Sequence, residues 1–81
     1  MFGYPFRLYF ALSDNTSEET YNRISDGVGQ KGWQSSYNGK ALPPGTYIGW
    51  TLVDDADFIR QDLARFTATI APNATIVVDR L

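Results

Sequence analysis

A cluster of three aspartates offers the most obvious chemistry in this sequence. Asp54, Asp55 and Asp57 stand together directly before a helical pattern. Hard divalent cations bind several carboxylate oxygens at once, so the cluster is a candidate metal site. Acidic residues at the start of a helix also accept hydrogen bonds from its free N–H groups and complement its dipole. Because no glycine turn or glutamate follows at the spacing of a calcium loop, the position favours the helix-capping interpretation.

A fourth aspartate, Asp14, follows Ser13 at the carboxyl end of the first predicted strand. A carboxylate at a sheet edge suits a metal ion or a phosphate ester. Asp and Ser side chains also form hydrogen bonds with their own backbone in turns, and we favour this structural role for Asp14. We therefore predict no cofactor, and we keep Mg²⁺ bound to Asp14 as the alternative.

The composition narrows the function classes. The chain has no histidine and no cysteine, so it lacks the usual general base, the partner that a nucleophilic serine needs and thiolate metal ligands. Seven basic residues are scattered among nine acidic ones, which disfavours binding to nucleic acid. Cysteine-free small domains are typical of reducing compartments, and no apolar run approaches the roughly 20 residues of a membrane span. We predict a cytoplasmic protein with a single domain over residues 1–81 and no catalytic function.

The elements that must position these residues alternate along the chain. Apolar and polar residues alternate over 6–12 and again over 46–53, as in half-buried strands. Helical spacing follows at 17–30, after a capping box at Thr16 and Glu19, and again from Asp54 to the residues before Pro72. Further strands are predicted at 33–37, as a short edge strand, and at 74–81. The order βαββαβ predicts an α+β, ferredoxin-like sandwich in which two helices cover one face of a four-stranded antiparallel sheet.

The alternation assigns each strand residue to one face of that sheet. In this topology the first strand lies between the third and fourth, and the second lies at the far edge. The open face, away from the helices, is the predicted binding surface, with Arg7, Tyr9, Tyr47, Thr51 and Val77 on it. The predicted buried set is Phe6, Leu8, Phe10, Ile24, Ile48, Trp50, Ile59, Leu63, Phe66, Ile76 and Val78.

Three segments resemble the small CRISPR-associated adaptor nucleases, a ferredoxin-like family that dimerises. They are Leu8-Tyr9-Phe10-Ala11-Leu12-Ser13-Asp14, Lys31-Gly32-Trp33 and Pro43-Pro44-Gly45-Thr46-Tyr47-Ile48. In that family the aspartate after the first strand can bind a metal for phosphodiester cleavage. The resemblance implies that Asp14 is the matching position in this chain.

Three functions are compatible with these observations. The first is a small non-catalytic interaction domain that forms a homodimer or binds a protein partner through its open sheet face, since exposed apolar surface usually marks an interface. The second is a metal-dependent nuclease in which a dimer brings two copies of Asp14 together around Mg²⁺. The third is an acidic inhibitor of a nucleic-acid-binding partner. The missing catalytic residue types favour the first.

Overall fold

A computed structural model describes residues 3–13 and 15–81. It contains two helices and five strands, in an α+β arrangement that confirms the predicted class. In chain order the elements are β1 (Tyr4–Ala11), α1 (Glu18–Gln30), β2 (Ser36–Tyr37), β3 (Lys40–Ala41), β4 (Thr46–Thr51), α2 (Ala56–Thr67) and β5 (Thr75–Arg80). Neither helix combines the length and the apolar character that crossing a membrane requires.

The main sheet has three antiparallel strands in the order β4-β1-β5. The order expected for these three strands is confirmed, but the four-stranded sheet is not. Residues 33–37, predicted as the second strand, contribute a single bridge to this sheet, in which Gln34 and Ile48 exchange backbone hydrogen bonds of 2.8 and 2.9 Å. The last two residues of that segment, Ser36 and Tyr37, instead pair with Lys40 and Ala41 in a separate two-stranded ribbon, β2-β3. Gln34-Ser35-Ser36 has little strand propensity, and the Asn38-Gly39 turn folds the next residues back on themselves.

Each helix begins at a side-chain cap. Ser17 accepts a hydrogen bond of 3.2 Å from the Thr20 backbone N–H at the start of α1, so the cap lies one residue later than the predicted Thr16. Asp55 caps α2 by accepting a 3.1 Å bond from the Phe58 N–H. These bonds satisfy backbone donors that have no partner inside the helix.

One hydrophobic core lies between the main sheet and both helices. Alternate residues of β1 are fully buried against α1 and α2, which confirms the predicted position of the helices on one face. The predicted residues that are buried are Phe6, Leu8, Phe10, Ile24, Ile48, Ile59 and Leu63. The predicted residues Phe66, Ile76 and Val78 are half-buried and pack against the core. Three core residues were not predicted: Val28, Trp33 and Tyr47.

The faces of β4 are the reverse of those predicted. Tyr47 pairs with Leu8 and Gly49 with Phe6, so Tyr47 and Gly49 point to the helices. Trp50, predicted to be buried, lies on the opposite face and is 37% exposed. The cause is Trp33, whose ring fills the core beside Gly49: a Cβ on Gly49 would lie 2.7 Å from the Trp33 Cε3 atom. The loop after α1 thus supplies the bulk that β4 itself does not.

Candidate functional site

A groove of about 530 Å³ lies on the open face of the main sheet. We call it the sheet groove; its volume falls within the range of ligand-binding sites, roughly 300–1,000 Å³. It is lined by Arg7, Tyr9, Tyr37, Leu42, Pro43, Thr46, Ile48, Val77, Asp79 and Leu81.

The central strand supplies the floor of the sheet groove. Arg7 and Tyr9 alternate along β1 with fully buried neighbours, so burial of one face of the strand directs these two side chains to the other. Tyr9 is 43% exposed. Backbone pairing holds this floor on both sides, because β1 pairs with β4 and with β5.

The β2-β3 ribbon forms one wall. Asn38 and Gly39 both have positive φ angles, 53° and 77°, as the two-residue turn of a tight hairpin requires. This turn, which the sequence indicates, pairs Tyr37 with Lys40. The ribbon places the Tyr37 ring 6.4 Å from the Trp50 ring, measured between centroids. Two exposed aromatic side chains therefore extend the apolar surface beside the groove.

The edge strand β5 forms the opposite wall through Val77, Asp79 and Leu81. Val77 is 41% exposed. Asp79 pairs with Arg7 across the two strands at 3.3 Å, and both side chains are about half exposed. Arg7 and Asp79 are the only two charged side chains among the residues lining the sheet groove, and their charges cancel. Apart from Thr46, the other lining residues are apolar or aromatic.

The structure brings three of the five predicted binding residues together. Arg7, Tyr9 and Val77 line the sheet groove. Tyr47 does not: it is 5% exposed and packs edge-on against Phe10, with 6.0 Å between ring centroids. Thr51 also lies on the helix-facing side of β4, because it is two residues beyond Gly49 and pairs with Tyr4. The prediction that Tyr47 and Thr51 lie on the open face was wrong, because Trp33 packs beside Gly49 and that side of β4 faces the helices.

Sequence reasoning missed seven of the ten residues that line the groove. Tyr37, Leu42 and Pro43 fall in the segment with the weakest strand pattern, and Ile48 was assigned to the other face. The one local signal was Asn38-Gly39, which indicates a tight hairpin and hence two neighbouring segments at the sheet edge.

The aspartate cluster has structural partners. Besides the Asp55 cap, Asp54 binds Arg80 at 2.6 Å and Asp57 binds Arg60 at 3.6 Å. Residues 3–13 and 15–81 contain no group of three acidic side chains arranged to hold a metal ion. Asp14, the predicted metal ligand, lies outside the described residues, so Mg²⁺ binding there stays a prediction.

Comparison with known proteins identifies no relative of this chain: no family model, no curated protein and no solved structure matches it. The resemblance to the adaptor nucleases therefore stays a prediction from three short segments.

Proposed function

We propose that this protein is a small non-catalytic interaction domain that binds a protein partner, or a second copy of itself, through the sheet groove. The observation that carries the proposal is the groove itself, an apolar and aromatic surface on the face of the sheet opposite the helices. Exposed apolar side chains that lie together in a groove, rather than singly over the surface, are typical of interaction sites.

Two features of the groove support a protein as the ligand. Its exposed side chains include Tyr9 and Tyr37, with Trp50 beside them, and aromatic residues are enriched at the centres of protein interfaces. Its one ion pair leaves no surplus positive charge of the kind that binds phosphate groups. A partner surface that is apolar at its centre and polar at its rim is complementary to both.

The proposal extends to the architecture and the compartment. We propose a ferredoxin-like arrangement in which the second strand is reduced to the Gln34 bridge, supported by the order β5-β1-β4 followed by that bridge. A cytoplasmic location is proposed from the absence of cysteine.

Substitution at the groove floor tests the function. Tyr9→Glu places a charge in the apolar floor without touching the core, and we expect it to weaken association by about tenfold or more. Phe58→Glu is the matched control, because Phe58 is also an exposed aromatic residue but lies on α2 and outside the groove. Sedimentation equilibrium measures self-association of the two variants and the native chain.

A parallel capture experiment from host extract measures binding to other proteins. The proposal requires at least one association that Tyr9→Glu loses and Phe58→Glu keeps. It fails if all three proteins self-associate to the same extent and retain identical sets of bound proteins.

A further inference from the structure

The two edges of the main sheet differ in whether their outward backbone groups are paired. At the β4 edge, Gln34 forms two backbone hydrogen bonds with Ile48, and the β2-β3 ribbon follows Gln34 in the chain. At the other edge, β5 pairs with β1 on its inner side, and no strand among the described residues pairs with its outer side. One edge is therefore covered and the other is open.

The hydrogen bonding of β5 identifies which groups are free. The Leu81 N–H donates to the Pro5 carbonyl at 3.0 Å. Because antiparallel strands alternate between residues that bond to a given neighbour and residues that bond away from it, Val77 and Asp79 also face β1. The N–H and C=O groups of Ile76, Val78 and Arg80 then point outward.

Between Thr75 and Val78, the outer edge of β5 lacks the usual protection against pairing. Exposed edges are normally blunted by lysine, proline, a bulge or an inward-pointing charge. Residues 75–78 read Thr-Ile-Val-Val, with strong strand propensity and no charge. The two charged residues that follow are engaged within the chain, Asp79 with Arg7 and Arg80 with Asp54.

We propose that β5 pairs antiparallel with β5 of a second copy, joining two three-stranded sheets into one of six strands. The two-fold axis of such a pair is perpendicular to the sheet and keeps each face on its own side, so directly opposed residues must come from the same face. The register centred on Val77 meets this condition. It places Val77 opposite its own copy, Ile76 opposite Val78 and Thr75 opposite Asp79.

This register is self-complementary in its hydrogen bonds and brings no like charges together. Its bonded pairs are Ile76 with Val78, whose outward groups form four backbone hydrogen bonds across the two-fold axis. No like charges face each other, which would oppose pairing. Ile76 and Val78 are only half-buried under α2, so each gains an apolar neighbour from the second copy. These properties select a second copy as the occupant of the edge.

The inference goes beyond the proposed function and does not depend on it. Since the axis keeps the open faces on one side, the dimer carries two sheet grooves side by side, and each remains accessible. The groove wall at Val77 lies where the two copies meet.

Single-cysteine variants test the register, because the chain has no cysteine of its own. Val77→Cys puts two thiols at a non-bonded antiparallel pair with Cα atoms about 4.5 Å apart, which a disulfide spans. Thr75→Cys is the matched control, since its two copies would be separated by roughly 13 Å along the strands. We expect Val77→Cys to form disulfide dimers at least about tenfold faster under mild oxidation. A mixture of Thr75→Cys with Asp79→Cys should also cross-link, because these residues are opposed.

Two cross-linking results would overturn the proposal. One is equal cross-linking of Val77→Cys and Thr75→Cys; the other is faster cross-linking of Tyr9→Cys, which would indicate association face to face through the groove. Amide hydrogen exchange of the native chain gives a second readout: the Ile76 and Val78 amides should become protected as the protein concentration rises from about 10 μM to about 1 mM. Unchanged exchange would also contradict edge pairing. Cross-linking of Val77→Cys should persist in the Tyr9→Glu background, so failure of the groove proposal and failure of this one are distinguishable.

Discussion

The two faces of β1 place one backbone in opposite environments. Phe6, Leu8 and Phe10 are fully buried under the helices, whereas Arg7 and Tyr9, between them in sequence, line the sheet groove. Burial of the first set supplies the apolar transfer free energy that offsets chain ordering. The second set contributes little to that core and remains available to a partner. If the sheet groove binds a partner as proposed, stability and binding depend on opposite sides of one strand, and substitutions should separate them.

The largest expected effect on the free energy of unfolding comes from replacing an aromatic residue of β1 by alanine, and it should differ between the two faces of the strand. Phe10→Ala should lower the free energy of unfolding by about 3–5 kcal/mol, because Phe10 is 2% exposed and its removal leaves a cavity. Tyr9→Ala should cost the isolated monomer about 1 kcal/mol or less. Denaturant unfolding at low protein concentration measures both values. Equal losses would show that the open face is part of the core.

A second comparison sharpens the description of the helical side. A Cβ on Gly27 would collide with the Phe66 ring, whereas a Cβ on Gly29 would meet no atom within 4 Å. Both substitutions to alanine raise helix propensity by about 1 kcal/mol, but only the first displaces a neighbour. We expect Gly27→Ala to be less stable than Gly29→Ala by about 1–3 kcal/mol.

Thermal and denaturant unfolding of the two glycine variants provide the measurement. Adding Phe66→Leu should recover part of the loss in Gly27→Ala and none in Gly29→Ala. If both single variants gain the same stability, α1 and α2 do not approach as closely as the structure shows.

The smallest effect should come from the ion pair on the open face. A double-mutant cycle with Arg7→Ala and Asp79→Ala should give a coupling free energy below about 1 kcal/mol, since both side chains are about half exposed. The coupling should shrink further at high salt, because mobile ions screen exposed charges. A coupling of several kcal/mol that resists salt would indicate that the groove is covered, as by a bound second copy.

Local patterns in the sequence determine much of the fold. The alternation over 6–12 places β1 correctly because its apolar set, Phe6, Leu8 and Phe10, is far more hydrophobic than the residues between them. Helix spacing and nearby caps position α1 and α2 to within a residue or two at their starts. The three-strand order was predicted from the succession of strands and helices, because two right-handed βαβ units place the first strand between the third and the last.

The faces of β4 and the shape of the groove were decided only by tertiary contacts. Both alternating sets of β4 contain large apolar residues, Tyr47 in one and Ile48 with Trp50 in the other, so periodicity cannot choose between them. The choice falls to Trp33, which is distant in sequence and packs against Gly49 in the core. The position of the ribbon also depends on a tertiary contact. Asn38-Gly39 determines that a turn forms, but the pairing of Gln34 with Ile48 determines where that turn lies relative to the sheet. Alternation within a strand reports only the contrast between its two faces, and where that contrast is small, the space left by the rest of the chain determines the outcome.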